Sequence, residues 1–171
     1  MNYNHVDTPI GTLQLISNGH ELLRIAFEGQ YNSDVIETND AALVNCAHQL
    51  TEYFAGKRQY FKLPLAPDGT AFQRSVWNAL ADIPYGESRS YKDIAQLIGN
   101  SDAVRAVGAA NGRNPLPIVV PCHRVIGSNG SLTGFAGGLI TKTFLLELEA
   151  GSKHATTAEN LLNTPGGSFR H

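Results

Sequence analysis

The stretch Ile118-Val119-Val120-Pro121-Cys122-His123-Arg124-Val125-Ile126 places a thiol, an imidazole and a guanidinium between two apolar segments. The β-branched run that opens the stretch is typical of a buried strand, and Pro121 ends that strand because its ring fixes φ. Thiol, imidazole and guanidinium groups are costly to bury together, so a purely structural segment rarely contains all three. The pattern therefore predicts a nucleophile held at a rigid, partly enclosed corner of the fold.

The proposed nucleophile, Cys122, is followed directly by His123, and adjacent residues of a strand point to opposite faces. For the imidazole to take the thiol proton, either the backbone turns sharply after Pro121 or a water molecule connects the two side chains. Both arrangements would produce the thiolate, which is the attacking form of cysteine. The alternative interpretation is a buried cysteine that packs as a small apolar residue beside a surface histidine. Adjacency alone leaves both interpretations open.

Composition limits the classes of function only broadly. The chain has 171 residues, enough for one domain or two small ones, and its formal net charge of −2 restricts any nucleic-acid surface to a local patch. Its two cysteines, Cys46 and Cys122, form neither a disulfide framework nor a CxxC pair, which favours a reducing cytosol. No signal peptide, lipidation motif or long apolar span is recognisable, so we expect no membrane attachment.

The first third of the chain predicts a small α/β unit. Residues 8–27 have the pattern of a hairpin around the turn Asn18-Gly19, and Tyr60 to Leu65 has that of another short strand. Between them, Asp40 to Phe54 predicts an amphipathic helix, with Cys46 as a packed thiol. The apolar face of that helix is expected to contain Leu43, Ala47, Leu50 and Phe54. We place a domain boundary at the turn Pro67-Asp68-Gly69.

The segment directly after that boundary predicts three helices in succession. The capping box Thr70 to Gln73 opens the first helix, which ends before Pro84. The capping box Ser90 to Asp93 opens a second, short helix that ends at Gly99, and a third helix begins at Asp102. Two short helices joined by a tight turn that contains glycine predict a helix-turn-helix.

The third helix presents a single long cation on a surface of small residues. One stripe, suited to packing on the preceding helix, consists of Ala103, Ala106, Val107 and Ala110. The other stripe consists of Arg105, Gly108, Ala109 and Gly112. Reading bases in the major groove needs several polar side chains, whereas a slim helix with one arginine suits the minor groove, where one side chain can wedge into the base stack. The alternative is a pair of helices whose small residues only permit close packing, and the pattern does not decide between the two.

The rest of the chain predicts loops and a final helix. Asn111 to Pro117 forms a stiff loop in which Asn114, placed before a proline, can lock a turn. Residues 133–138 form a glycine-rich loop, either a mobile pocket wall or a simple connector. Lys142 to Glu149 predicts a helix, and residues 152–171 predict a loosely ordered tail. The inward-facing residues of the helix are expected to be Phe144, Leu145 and Leu148.

The segment Pro121-Cys122-His123-Arg124-Val125 resembles the signature of the O6-alkylguanine-DNA alkyltransferases. The similarity covers about residues 8–150 and is strongest after Thr70. Further segments stand in the family's order and spacing: Phe72-Gln73, Val76-Trp77, Ile83-Pro84-Tyr85-Gly86, Ser90-Tyr91, Arg105-Ala106-Val107-Gly108, Asn114-Pro115, Gly137-Gly138-Leu139 and Leu145 to Glu149.

The resemblance implies an α+β fold in two parts. Residues 1–66 would form a small N-terminal α/β domain with a short, antiparallel-containing, RNase H-like sheet. Residues 67–151 would form a mostly helical, winged-helix-like domain that carries the helix-turn-helix and the reactive cysteine. Residues 152–171 would be a flexible tail outside the resemblance.

The resemblance also implies a DNA-repair methyltransferase that reacts once. In that family a cysteine irreversibly takes the alkyl group from O6 of a damaged guanine, and O4-alkylthymine is an expected second substrate. Residue by residue, Cys122 would be the acceptor, and His123 would help to form its thiolate through a water molecule. Glu149 would orient His123, Asn114 would brace the turn, and Tyr91 would assist the departure of guanine.

Two further sets of residues are implied by the resemblance. Arg105 would fill the gap left by the flipped lesion, because chemistry on a stacked base requires its extrusion. The residues expected to contact DNA are Arg105, Ala106, Ala109, Gly112, Arg113 and Tyr91. The residues expected to line the guanine pocket are Pro117, Val125, Phe135, Ala136 and Gly137.

The chain departs from some family members at the pocket and in the first half. Ala136 stands where some members have a serine that can bond the lesion, and Phe135 replaces a tyrosine but keeps an apolar wall. We infer a roomier pocket, with lesion preference left open. The zinc ligands of some relatives are not visible, so we expect no metal and no cofactor. The expected partner is double-stranded DNA containing O6-alkylguanine, bound by a monomer in the cytoplasm, or at the nucleoid if the source is bacterial.

Two other functions compete with repair. A non-catalytic protein could bind alkylated bases and only mark the damage, but relatives of that kind have replaced the acceptor cysteine, and Cys122 is present here. A cysteine hydrolase could use Cys122, His123 and a distal acid, but an adjacent Cys-His pair is a poor layout for hydrolysis. The hydrolase would also leave the helix-turn-helix without a purpose.

Overall fold

The computed structural model describes the backbone of residues 1–155 and the side chains of residues 1–151. The chain divides into two compact units, Met1–Asp68 and a second unit that starts at Gly69. Residues 152–155 are helical, so this part of the predicted tail is wrong, and the remainder, 156–171, lies outside the described residues. Within the described chain, no helix combines the length and the apolar character needed to cross a membrane.

A four-stranded sheet forms the body of the first unit. Its strands are β1 (Asn2–Thr8), β2 (Gly11–Ser17), β3 (Leu22–Ala26) and β4 (Ile36–Glu37), in the spatial order β3-β2-β1-β4. The predicted hairpin is β2 paired antiparallel with β3. β1 pairs antiparallel with β2, and β4 runs parallel to β1. Neither β1 nor β4 is predicted from the sequence, because β1 carries polar residues on both faces and β4 is only two residues long.

Helix α1 (Ala41–Phe54) begins at Asp40, whose side chain accepts a hydrogen bond from the Leu43 N–H. The predicted apolar face is rotated by about one position, since Ala47 and Phe54 are only half-buried. The fully or nearly buried residues are Ala42, Leu43, Cys46, Leu50 and Tyr53. Cys46 is a packed thiol, as predicted, and burial raises its pKa to about 12.

The strand predicted over Tyr60 to Leu65 does not form. One isolated bridge joins Leu65 to Leu22, with Leu22 N–H donating to Pro64 O at 2.8 Å and Ala66 N–H donating to Leu22 O at 2.9 Å. Pro64 has no N–H and cannot donate to a sheet ladder, so the pairing does not extend beyond this one bridge.

Up to residue 155, the second unit contains four α-helices and a two-stranded parallel sheet. In chain order these elements are α2 (Ala71–Ala81), β5 (Arg89–Ser90), α3 (Tyr91–Leu97), α4 (Val104–Gly112), β6 (Val125–Ile126) and α5 (Leu139–Ala155). Both predicted capping boxes are present, one at Thr70 with Gln73 and one at Ser90 with Asp93. α3 and α4 form the predicted helix-turn-helix, and Gly99 in the turn has a φ of +79°.

Two apolar faces of this unit differ from their predictions. On α4, Ala106 is exposed instead of packed, and Asn111 takes a buried place beside Val107 and Ala110. On α5, Phe144 is 36% exposed instead of facing inward. The inward residues of α5 are Lys142, Leu145, Leu146, Glu149 and Ala150. In both helices a polar side chain is buried because it bonds to backbone or to a charged partner, which hydrophobic periodicity does not register.

Candidate active site

The segment before Cys122 is a strained turn and not the predicted strand. Ile118 has a φ of +76°, an uncommon and costly value for a β-branched residue. Val120 N–H donates to Leu116 O at 2.8 Å, so local bonds replace a sheet ladder. The run is nevertheless buried, with Ile118 1% and Val120 4% exposed. A buried turn of this kind has the apolar composition of a strand, and composition alone does not separate the two.

Asn114 holds this turn closed. Its side-chain Nδ2 donates to Val120 O at 2.8 Å, and its Oδ1 accepts from Leu116 N–H at 3.0 Å. Asn114 is 8% exposed, so these bonds form away from solvent, where an unpaired amide would be costly. The side chain predicted to lock a turn therefore spans the loop that leads into Cys122.

Cys122–Arg124 forms a single 3-10 turn, so the backbone turns sharply after Pro121. Cys122 N–H donates to Val120 O at 2.7 Å, and Arg124 N–H donates to Pro121 O at 3.0 Å. Burial raises the pKa of the Cys122 thiol to about 11, although hydrogen bonding from Asn114 and the positive charge of Lys142 act in the opposite direction. At neutral pH the resting thiol is therefore protonated and needs a base to become nucleophilic.

The side chain that follows Cys122 is a buried histidine paired with a buried carboxylate. His123 Nε2 lies 2.6 Å from Glu149 Oε2, and the two side chains are 0% and 1% exposed. Burial on its own would raise the pKa of Glu149, but attraction and hydrogen bonding from His123 and Arg124 hold it well below its usual range. Burial also lowers the pKa of His123, which Glu149 only partly offsets.

These charge states define the histidine tautomer. An ionised carboxylate can only accept, so Nε2 of His123 carries the proton that is donated to Glu149. Because burial lowers the pKa of His123, its ring carries only this one proton at neutral pH, and Nδ1 is unprotonated. Nδ1 makes no hydrogen bond to any described residue. The imidazole is therefore neutral, oriented from one side and free to accept a proton on the other.

Arg124 completes the cluster, although it has no role in the sequence-based prediction. Its Nε donates to Glu149 Oε1 at 2.8 Å and its Nη2 to Glu149 Oε2 at 2.9 Å, while Nη1 donates to Ile83 O at 2.7 Å. The guanidinium also lies 5.6 Å from the centre of the Tyr85 ring. Arg124 thus ties α5 to the end of α2 and keeps Glu149 ionised, in a geometry that two parallel hydrogen bonds make specific.

Tyr91 lies between helix α4 and the glycine-rich loop. Its hydroxyl accepts a hydrogen bond from Thr133 Oγ1 at 3.0 Å, and a Cβ on Gly108 of α4 would be 3.9 Å from its ring. Burial and the nearby Cys122 raise the pKa of Tyr91, and the Thr133 bond acts against them. The structure therefore places Tyr91 against both the 133–138 loop and α4.

The residues expected to line the pocket lie on two segments. Pro117 and Val125 are buried on either side of the Cys122 turn. Phe135 and Gly137 are half-buried in the 133–138 loop, and Ala136 of the same loop is exposed. Lys142, which no sequence signal marks, donates from Nζ to Val125 O and to Thr133 O, so it joins the two segments.

The residues expected to contact DNA share the exposed face of α4 and its end: Arg105, Ala106, Ala109, Gly112 and Arg113. The opposite face is anchored by Trp77 of α2, whose Nε1–H donates to Ala110 O at 2.9 Å. α4 therefore presents a rigid, slim surface with one long cation near its start. In the described part of the chain, no three His, Cys, Asp or Glu side chains are grouped so that they could hold a metal ion.

The His123–Glu149 pair predicts loss of stability in acid. Because both groups have a pKa below the ordinary value in the folded state, the unfolded chain binds more protons as the pH falls. The contribution of this pair to the free energy of unfolding is therefore complete above about pH 6.5, the ordinary pKa of histidine. The part due to His123 is lost as the pH falls below that value, and the part due to Glu149 as it falls below about 4.3, the ordinary pKa of glutamate. Urea denaturation between pH 8 and pH 4 should show this decline, and a free energy of unfolding that stays constant down to pH 4 would contradict it.

Comparisons with known proteins match both halves of the chain. Residues 1–67 match the ribonuclease-like domain of 6-O-methylguanine DNA methyltransferase, and residues 71–151 match the DNA binding domain of the same protein. The methylated-DNA–protein-cysteine methyltransferase of Methanosarcina barkeri is 51% identical over 154 residues, which cover 87% of this chain and 97% of the relative. The constitutive methylated-DNA–protein-cysteine methyltransferase of Bacillus subtilis is 48% identical over 157 residues, which cover 86% of this chain and 94% of the relative.

Solved structures agree with these sequence matches. The O6-methylguanine methyltransferase of Mycobacterium tuberculosis superposes with a TM-score of 0.83 at 46% identity, covering 88% of this chain and 93% of that chain. The Mycobacterium tuberculosis OGT in complex with DNA superposes with a TM-score of 0.84 at 46% identity, covering 89% of this chain and 94% of that chain. The predicted two-part α+β fold is confirmed by these matches.

Proposed function

The chain belongs to the 6-O-methylguanine DNA methyltransferase family, and on that premise we propose that Cys122 is the residue that accepts the alkyl group. The protein is a methyltransferase that binds DNA and repairs it by direct transfer of an alkyl group to cysteine. The observation that supports Cys122 is its place in a turn followed by a neutral, carboxylate-oriented His123. The other cysteine, Cys46, is packed inside the first unit.

The transfer exchanges one bond at carbon for another. The Cys122 thiol gives its proton to Nδ1 of His123 through a water molecule, and the sulfur attacks the alkyl carbon of O6-alkylguanine. As the sulfur–carbon bond forms, the carbon–O6 bond breaks and its electron pair passes to the guanine. The guanine takes up one proton from water and His123 returns its extra proton to water, so the thiol proton is the one consumed overall. The product is a thioether, which nothing in the site can hydrolyse, so each molecule reacts once.

Glu149, Asn114 and Tyr91 support this step in different ways. Glu149 stabilises the imidazolium that forms when His123 takes the proton, because its carboxylate lies 2.6 Å from Nε2. Asn114 keeps the turn closed and favours the thiolate by hydrogen bonding. Tyr91 donates a hydrogen bond to the departing guanine, whose negative charge grows as the carbon–O6 bond breaks. Pro117, Val125 and residues 135–137 line the pocket for the extruded base.

The substrate we propose is double-stranded DNA that carries O6-alkylguanine, with O4-alkylthymine as a second lesion. Binding as a monomer is proposed because one unit contains both the reactive turn and the exposed face of α4. The protein would act in the cytoplasm, at the nucleoid if the source is bacterial, where DNA is present and thiols stay reduced.

Arg105→Ala is expected to slow repair of duplex DNA by about 10- to 100-fold, since extrusion of a paired base costs a few kcal/mol and this side chain would fill the gap. Repair of a single-stranded oligonucleotide, which needs no extrusion, should keep its rate. Single-turnover transfer measured on both substrates tests this. Arg113→Ala is the matched comparison, because loss of a phosphate contact should weaken affinity and its salt dependence with little effect on the limiting rate. An Arg105→Ala variant with the unaltered duplex rate contradicts the wedge role.

The test of the proposed function is a titration of the protein with excess duplex that contains one O6-methylguanine. The amount of guanine restored should equal the amount of protein and should not rise with further incubation. Tight binding with no restored guanine would favour the non-catalytic alternative, which the names of the relatives do not support. Restoration that exceeds the amount of protein would indicate a hydrolase.

A further inference from the structure

Lys142 is a buried cation with no part in the reaction as described above. Its side chain is 0% exposed, and Nζ donates to Val125 O at 2.7 Å and to Thr133 O at 2.8 Å. No carboxylate forms an ion pair with it in the part of the chain that the structure covers. Because a buried ammonium is costly unless it is hydrogen-bonded, these two carbonyls fix its position. Lys142 therefore fastens the 133–138 loop to β6, the strand that follows the Cys122 turn.

Thr133 in turn holds Tyr91. The Thr133 hydroxyl donates to the oxygen of Tyr91 at 3.0 Å. The Tyr91 hydroxyl lies 3.5 Å from the Thr133 carbonyl, a distance at which an O–H···O bond is weak. That same carbonyl already accepts the short, charge-assisted bond from Lys142. The oxygen of Tyr91 is thus held in place while its proton is only weakly engaged.

These bonds favour the Tyr91 hydroxyl as a hydrogen-bond donor. A hydroxyl group that accepts a hydrogen bond becomes a stronger donor, because successive bonds polarise one another. A donor already in position contributes most where negative charge develops in the transition state. During alkyl transfer that charge develops on guanine, and Tyr91 is bonded to the 133–138 loop, which is expected to line the guanine pocket.

We propose that Thr133 and Lys142 are positioning residues that present the Tyr91 hydroxyl to the departing guanine. Thr133 holds the Tyr91 oxygen through its hydroxyl, and Lys142 occupies the Thr133 carbonyl that would otherwise compete for the Tyr91 proton. The proposal rests on the proposed function, since it concerns the same transfer step. It adds two residues, one on an exposed loop and one on a buried helix face, for which hydrophobic periodicity predicts nothing.

Thr133→Val tests the chain of bonds with little risk to the fold, because the residue is exposed and valine keeps its shape. Single-turnover transfer from a duplex with one O6-methylguanine should slow by about 3- to 10-fold in the limiting rate, the value of one hydrogen bond. The DNA concentration that gives half the limiting rate should not change. Thr133→Ser should restore the rate. Thr143→Val, the same substitution on α5, is the control and should leave the rate unaltered.

A double-mutant cycle separates positioning from a general loss of structure. In a Tyr91→Phe background, Thr133→Val should have no further effect on the limiting rate, because the hydroxyl that it positions is gone. Lys142→Met should slow transfer in both backgrounds, but by a smaller factor in Tyr91→Phe, since its charge also acts on Cys122. An equal effect of Thr133→Val in both backgrounds overturns the proposal, as does an unaltered rate for Thr133→Val alone.

The outcome also distinguishes this proposal from the proposed function. If the unmodified protein transfers no methyl group to Cys122, the proposed function fails before any variant is compared. If the unmodified protein reacts and Thr133→Val reacts equally fast, only the positioning role of Thr133 and Lys142 is lost.

Discussion

Cys122→Ala is expected to abolish alkyl transfer completely while duplex binding stays within about 2-fold of the original affinity, because phosphate contacts and not the thiol supply that affinity. In the proposed reaction the sulfur forms the new bond, and no other side chain of the cluster could replace it. His123 and Glu149 remain in place after the substitution, since neither depends on the thiol for its own hydrogen bond. Repair of O6-methylguanine duplex and gel-shift binding, measured on the same preparation, test both parts.

The matched control for this variant is Cys46→Ala, which removes the only other thiol of the chain. Cys46 is 0% exposed and packs in the apolar face of α1. The control should keep full stoichiometric transfer, at a cost in stability of about 1 kcal/mol for the small cavity. The assignment of the acceptor would be wrong if Cys46→Ala lost transfer and Cys122→Ala kept it.

Glu149→Gln should reduce the free energy of unfolding by about 3–5 kcal/mol, the cost of leaving one member of a buried ion pair without its partner. The substitution removes the charge that accepts from both Arg124 and His123, and Arg124 is only 6% exposed. Transfer should also slow strongly, because the imidazole loses both its orientation and its counter-charge. Urea denaturation at neutral pH and single-turnover transfer at a temperature where the variant is folded measure the two effects.

Glu147→Gln is the control for this second prediction, since Glu147 lies two residues earlier on the same helix and is exposed. Substitutions at such surface positions change stability by about 0.5 kcal/mol or less, and transfer should keep its rate. If Glu149→Gln proved as stable and as active as Glu147→Gln, the buried cluster would neither stabilise the fold nor support alkyl transfer.

Local signals in the sequence predict the parts of the fold that depend on local chemistry. Hydroxyl and carboxamide or carboxylate groups at fixed spacing predict the starts of α2 and α3, and an Asn-Gly turn predicts the β2–β3 hairpin. The sequence does not predict the turn around Ile118, because the apolar composition of this turn equals that of a buried strand. What makes it a turn is a set of backbone bonds closed by Asn114, and only the folded chain displays them.

The residues of the site also divide into those that the sequence makes recognisable and those that only the folded structure reveals. Cys122 and His123 are visible in the sequence because a thiol and an imidazole between apolar arms are unusual. Glu149 stands out only through the family resemblance, since a lone glutamate on a helix is ordinarily solvated. Arg124 and Lys142 are recognised as buried cations only from their bonds to Glu149 and to backbone carbonyls. Burial of a charge depends on partners distant in sequence, which periodicity cannot identify.

The central claim is that the sulfur of Cys122 is the atom that receives the alkyl group. Mass spectrometry of a protease digest, after reaction with one equivalent of O6-methylguanine duplex, tests this claim most directly. We expect the peptide containing Cys122 to gain the mass of one CH₂ in nearly every molecule, and the peptide containing Cys46 to be unaltered. An unmodified Cys122 peptide, together with DNA whose methylated guanine is either intact or repaired, would contradict it.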